Sequence, residues 1–173
     1  MTRNRFKRPQ SGTTLVETAV AATLIAVFFA TIFELNAVCL HYIDASKESV
    51  AALQGVQDRV EALRNLAFTD LTNATVVQNL MATPANGSDF AKTKPQEVVI
   101  IYPYDTVHKT YDNTNKIKIT RLPGAIVTPS INLNLLPSGT NVVEVKVTYT
   151  WSMLGGRSGS EQTETIISSG TKK

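Results

Sequence analysis

Residues 12–33 read GTTLVETAVAATLIAVFFATIF, and this stretch decides the fold. Residues 18–33 carry no formal charge and are bracketed by Glu17 and Glu34. At a rise of about 1.5 Å per residue, a helix from one glutamate to the other covers roughly 25 Å, a little less than the roughly 30 Å core of a bilayer. The apolar continuation to Ile43 completes a span, so the sequence predicts one membrane crossing within residues 13–43.

A basic leader, residues 1–12, precedes this stretch. It contains four bases and no acid, so residues 13–173 carry 13 of the chain's 17 bases and all 14 of its acids. By the positive-inside rule the leader predicts an N-terminus in the cytoplasm and the remainder of the chain outside. The formal net charge of +3 therefore belongs to the leader and says nothing about an acidic partner for residues 13–173.

The apolar stretch is expected to continue into an amphipathic helical half, residues 44–68. No proline occurs between Pro9 and Pro84. Spacings of three and four predict a single apolar stripe in this half. The stripe consists of Leu53, Val56, Val60, Leu63 and Ala67. We therefore expect one continuous helix from about Thr14 to Phe68, on the order of 80 Å long.

Residues 69–173 have the composition of a β-rich region. Residues 72–96 are polar and predict a connection, and residues 123–139 predict a loop because prolines and glycines punctuate them. Strands are predicted over 97–102, 116–122, 142–153 and 161–168, with a glycine-rich hairpin turn over 154–160. The expected fold class is α+β, with a long N-terminal helix packed on a small antiparallel sheet.

Composition excludes several classes of protein and site. A chain with 43% hydrophobic and 18% charged residues is not disordered along its length. Cys39 is the only cysteine, which excludes an intramolecular disulfide and a cysteine-rich zinc site. Asp112, Asn113 and Asn115 lack the acid count of a calcium loop. We expect no catalytic residue, cofactor site or metal site.

Gly12, followed by Thr13, Thr14, Leu15, Val16 and Glu17 and then an apolar helix, resembles the class III signal of type IV prepilins and type II secretion pseudopilins. The resemblance implies a pilin-like fold. It also implies that a prepilin peptidase cleaves between Gly12 and Thr13 and methylates the new amino group of Thr13. Glu17 is then expected to pair with the N-terminal amine of a neighbouring subunit in the filament. The family usually has phenylalanine at the first mature position, and Thr13 departs from this pattern.

The resemblance is strong over residues 9–40 and implies the partners and the location. The expected partners are other pilins or pseudopilins, the prepilin peptidase, the inner-membrane assembly platform, and membrane lipid before assembly. The expected location is the bacterial inner membrane, with the C-terminus in the periplasm, and then the pilus or pseudopilus. One cysteine cannot close the disulfide loop of many major pilins, and residues 171–173 lack the acidic calcium ligands of the major pseudopilin. Both departures indicate a minor subunit.

The chemistry of Glu17 supports this role independently of the resemblance. A carboxylate at the mouth of a membrane span costs free energy unless it is paired. The α-amino group that cleavage would create on Thr13 is largely protonated at neutral pH and offers such a partner. The alternative is that Glu17 serves only as a helix cap or an unpaired interfacial carboxylate.

Two other functions remain open at this level. The first is a membrane-anchored binding module, either a DNA receptor or an adhesin, that uses the helix only as an anchor. A basic patch for DNA would consist of Lys109, Lys116, Lys118 and Arg121, but such a run is more typical of a solvated strand face, so nucleic acid is not an expected partner. The second is a secreted protein cut after Ala30 or Ala37.

Overall fold

The computed structural model describes residues 14–105, 110–111, 115–124, 126–129, 136–153 and 156–171. The chain divides into two compact units, Met1–Tyr42 and Ile43–Lys173. The helices are α1 (Leu15–Arg64), α2 (Phe68–Leu71), α3 (Ala74–Met81) and α4 (Asp89–Thr93), followed by a 3₁₀ turn over Ser169–Thr171. The strands are β1 (Gln96–Asp105), β2 (Thr110–Tyr111), β3 (Ile117–Leu122), β4 (Ile126–Pro129), β5 (Val142–Ser152) and β6 (Ser158–Ser168).

Helix α1 is a single α-helix of 50 residues that ends at Arg64. The predicted end at Phe68 is wrong by four residues. The Leu66 N–H donates to the carbonyl oxygen of Leu63 at 3.2 Å, which tightens the last turn. Ala67 then adopts an extended backbone conformation at the start of α2, so the helical path is interrupted there.

The strands form one antiparallel sheet with the order β4-β3-β1-β5-β6, and β2 pairs with the end of β1. The sheet side that carries the core is called the inner face, and it is lined by Val99, Ile101, Ile117, Ile119, Val143, Val145 and Val147. These residues occupy alternate positions along their strands, which is the pattern of a sheet covered on one side. The predicted α+β class is confirmed.

The second half of α1 packs on the inner face through a stripe rotated from the predicted one. The buried helix residues are Ala52, Gly55, Val56, Arg59, Val60 and Leu63. Of the predicted stripe, Leu53 is 43% exposed and Ala67 is exposed, so both assignments are wrong. A small residue, Gly55, and a charged one, Arg59, take part in the buried stripe instead.

Residues 72–96 contain two helices that the sequence interpretation treated as a connection. Helix α3 begins at an Asn73 cap, whose side chain accepts a hydrogen bond from the Thr75 N–H at 3.0 Å. Three of its residues enter the core, namely Ala74, Val77 and Met81. Their spacing of three and four is that of a short amphipathic helix.

The predicted strands over 97–102, 116–122 and 142–153 are confirmed as β1, β3 and β5, with β1 extending to Asp105. Strand β4 lies inside the predicted loop 123–139, after a turn in which Gly124 has a φ of 86°. Strand β6 begins at Ser158, three residues before the predicted start. The added residues pair with the end of β5, so the C-terminal hairpin is longer than expected.

Candidate assembly site on helix α1

Glu17 lies in the first turn of α1 and forms a capping box with Thr14. The Thr14 N–H donates to Glu17 Oε2 at 2.9 Å, and the Glu17 N–H donates to Thr14 Oγ1 at 3.3 Å. These two bonds satisfy backbone donors that have no partner within the helix. The structure therefore gives Glu17 the capping role that was the alternative to pairing with an amine. Gly12 and Thr13 lie outside the described residues, so the cleavage site and the amine pairing stay predictions.

The capping box is compatible with cleavage between Gly12 and Thr13. Its two hydrogen bonds use the N–H and side-chain oxygen of Thr14 together with the N–H and carboxylate of Glu17. None of these groups belongs to the peptide bond that would be cut. One carboxylate can accept several hydrogen bonds, so Glu17 can cap its own helix and still accept from an amine.

Residues 14–42, the described part of the first unit, are all exposed. Within the described residues, α1 is the one helix long and apolar enough to cross a membrane. The hydroxyls of Thr18, Thr23 and Thr31 donate to carbonyl oxygens three or four residues earlier in the helix, at 2.8 to 2.9 Å. Polar groups in this stretch are thus satisfied inside the helix, which suits a surrounding without water.

The structure supports no chemical role for Glu34 or Cys39, the two other residues of this helix considered as possible sites. Glu34 and Cys39 are both exposed, and Cys39 is a free thiol. Glu34 lies at the end of the uncharged stretch opposite Glu17. This makes Glu34 a matched control for experiments on Glu17.

A buried ion network that the sequence interpretation missed fixes the second half of α1 to the sheet. Glu97 on β1 accepts from Arg59 Nε through Oε1 and from Arg121 Nε through Oε2, the latter at 2.9 Å. All three side chains are at most 2% exposed. The network carries one negative and two positive charges, so the single carboxylate holds both arginines.

Backbone carbonyls provide further acceptors for the two guanidinium groups. Arg59 donates to the carbonyl oxygens of Leu80 at 2.9 Å and Thr83 at 2.6 Å. Arg121 donates to the carbonyl oxygen of Ala91 at 2.7 Å. The network thus connects α1 and the sheet to the end of α3 and to α4.

The sequence contained a signal for this network. Arg59 lies on the helical stripe of Val56, Val60 and Leu63, while Glu97 and Arg121 continue the inner-face alternation of their strands. A charged residue on an apolar face is either a functional group or one member of a buried pair. Three such residues on facing elements indicate a shared network.

The network also affects Tyr149, which is fully buried beside it on β5. Burial raises the pKa of the Tyr149 hydroxyl, and the negative charge of Glu97 raises it further, against the opposing charges of Arg59 and Arg121. Tyr149 therefore stays neutral through the physiological range. The ring of Tyr149 packs directly on Gly55 of α1.

The described bases of the basic segment do not all lie on one surface. Arg121 is fully buried in the ion network, whereas Lys118 is exposed on the opposite side of β3. Lys109, Asp112 and Asn113 lie outside the described residues. The searched residues hold no group of three or more His, Cys, Asp or Glu side chains placed to bind a metal ion.

Comparison with known proteins finds no matching family model, no matching curated protein and no matching solved structure.

Proposed function

We propose that this chain is a structural subunit, of the minor kind, in a type IV pilus or a type II secretion pseudopilus. A prepilin peptidase cuts its precursor between Gly12 and Thr13, and the helix then leaves the membrane to join other subunits through the inner-membrane assembly platform. The chain performs no catalysis. Its precursor spans the bacterial inner membrane once, with the leader in the cytoplasm.

One observation carries the proposal. Glu17 is the only formal charge from Thr14 to Phe33. It lies in the first turn of α1, and the apolar side chains of α1 up to Tyr42 are all exposed. A soluble protein does not expose such a stretch, because a large apolar surface favours association with lipid or with another protein. The capping box holds the carboxylate at the N-terminus of that helix, on the N–H of Thr14, which follows Thr13 in the sequence.

The rival function, a membrane-anchored DNA receptor, gains no support from the described residues. The burial of Arg121 removes one of its four bases from the surface. An adhesin that uses the helix only as an anchor predicts an uncut Met1 in the membrane fraction. Mass spectrometry of the N-terminus separates the functions, because the pilin role predicts a methylated Thr13 and a secreted protein predicts a start after residue 30.

The capping box makes one substitution at Glu17 especially informative. Glutamine at this position can still accept from the Thr14 N–H and complete a capping box, but it carries no charge. If an ion pair with an amine guides assembly, Glu17→Gln will enter filaments as poorly as Glu17→Ala, and both will be cleaved normally. The measurement is the fraction of cleaved subunit recovered in sheared filaments.

Glu34→Gln is the matched control, since it removes one carboxylate from the other end of the apolar stretch and is expected to assemble normally. Normal assembly of Glu17→Gln together with failure of Glu17→Ala would show that the carboxylate acts only as a cap. Normal assembly of both variants would overturn any assembly role for Glu17.

A further inference from the structure

The loop between α3 and α4 contains an asparagine followed directly by a glycine, Asn86 and Gly87. The amide carbon of an asparagine side chain can be attacked by the backbone nitrogen of the next residue, which closes a five-membered ring. A side chain on that next residue obstructs the attack, and glycine has none. Asn86 is the only asparagine of the chain that a glycine follows.

The surroundings of Gly87 leave room for such a ring. Gly87 is exposed, and a Cβ built on it would have no atom within 4 Å apart from its chain neighbours. Among the described residues none accepts a hydrogen bond from the Gly87 N–H. The attacking nitrogen is therefore open to water and is not held by a hydrogen bond within the described chain.

The side chain of Asn86 is polarised in the direction that the attack requires. Its Oδ1 accepts from the Ser88 N–H at 3.1 Å and from the Ser88 hydroxyl at 2.6 Å. Two donors on this oxygen stabilise the negative charge that develops there when the amide carbon is attacked. The Nδ2 of Asn86 donates to Asp58 Oδ2 of α1 at 2.7 Å, so a carboxylate lies beside the nitrogen that leaves.

We propose that Asn86 is a site of spontaneous deamidation. The Gly87 nitrogen forms a bond to Cγ of Asn86 and loses its proton to water, while Nδ2 takes up a proton and departs as ammonia. The ring that remains is a cyclic imide, and a water molecule opens it at either of its two carbonyls. The product is aspartate or isoaspartate, and the net reaction consumes a water molecule and releases an ammonia molecule.

Deamidation breaks the contact between this loop and α1. An ionised carboxylate has no proton to donate, so residue 86 then faces Asp58 as one negative charge against another. The same side chain also holds Ser88, whose hydroxyl oxygen accepts from the Ala91 N–H at 3.1 Å. The modification therefore weakens the attachment of the loop to α1 and disturbs the start of α4.

Peptide mapping by mass spectrometry tests the proposal on the full chain in detergent, incubated at mildly alkaline pH. Residue 86 is expected to lose its amide, whereas Asn79, which is exposed on α3 and is followed by leucine, should keep it. Gly87→Ala is the matched variant, because it adds one methyl group in open space and should slow the loss at least about tenfold. Retention of the amide at residue 86 in the wild type, or equal rates in the wild type and Gly87→Ala, overturns the proposal.

Asn86→Asp reproduces one of the two products and tests the effect on α1. It is expected to unfold at a lower denaturant concentration than the wild type. Adding Asp58→Asn places an amide opposite the new carboxylate and should restore the midpoint of unfolding. A midpoint unchanged by Asn86→Asp, or one that Asp58→Asn fails to restore, overturns the proposed effect. Both experiments are independent of the assembly role proposed for Glu17.

Discussion

The buried ion network makes Glu97→Gln the most informative test of how this fold is held together. In the wild type, one carboxylate accepts from Arg59 and Arg121, and neither arginine is more than 1% exposed. The substitution keeps the size of the side chain and removes the one negative charge of the network with Arg59 and Arg121. Leaving a buried charge unpaired costs about 3–5 kcal/mol, and here two like charges lose the same partner.

That loss is large compared with the whole stability of a domain, which is about 5–15 kcal/mol. We therefore expect a lowering of the free energy of unfolding by at least about 3 kcal/mol. Trp151 is the chain's only tryptophan and is 4% exposed in the core, so its fluorescence reports loss of this packing. Denaturant titration of the full chain in detergent provides the measurement.

Glu164→Gln is the control for Glu97→Gln, because it removes a carboxylate whose side chain is 45% exposed and whose partner is Lys146. A half-exposed pair of this kind contributes about 0–1 kcal/mol, so its loss should be small. The reasoning fails if the two substitutions have similar effects. It also fails if Glu97→Gln stays within about 1 kcal/mol of the wild type.

Two further predictions use the same unfolding measurement. Gly55→Ala places a Cβ 2.7 Å from Tyr149 Cε2 and should lower the free energy of unfolding by about 1–3 kcal/mol, despite the better helix propensity of alanine. Gly87→Ala is the control, because no atom lies within 4 Å of its new Cβ, and it should have little effect. Equal effects of the two substitutions would contradict the packing argument. Burial, and then the charge of Glu164, raise the pKa of Glu144 above its usual 4.5, against the opposing effect of Lys146. Just above pH 4.5 the folded state therefore binds a proton that the unfolded state has released, so the free energy of unfolding falls as the pH rises through this window. Glu144→Gln should flatten that part of the pH profile and be more stable than the wild type at pH 7, whereas an unchanged slope would refute the assignment.

Strand β5 could be predicted from the sequence because every inner-face position from Val143 to Trp151 is apolar and every intervening position is polar. Such strict alternation has one physical solution, a strand with one side buried. The long helix could be predicted for a similar reason, because its apolar stretch is followed by apolar residues at spacings of three and four and no proline occurs within it. The side of the helix that packs on the sheet could not be predicted, because the buried residues include the small Gly55 and the charged Arg59.

Helix α3 was missed because its stability comes from elsewhere in the fold. Eight residues are too few for a helix to be stable alone in water, and α3 forms because its buried side chains pack against the core. At the candidate site, the sequence drew attention to Glu17 through its charge beside the apolar stretch, its position five residues after Gly12 and the family resemblance, and its assembly role stays a prediction. The partner in the structure, Thr14, lies three residues earlier as in any capping box, but only coordinates establish which side-chain contact forms.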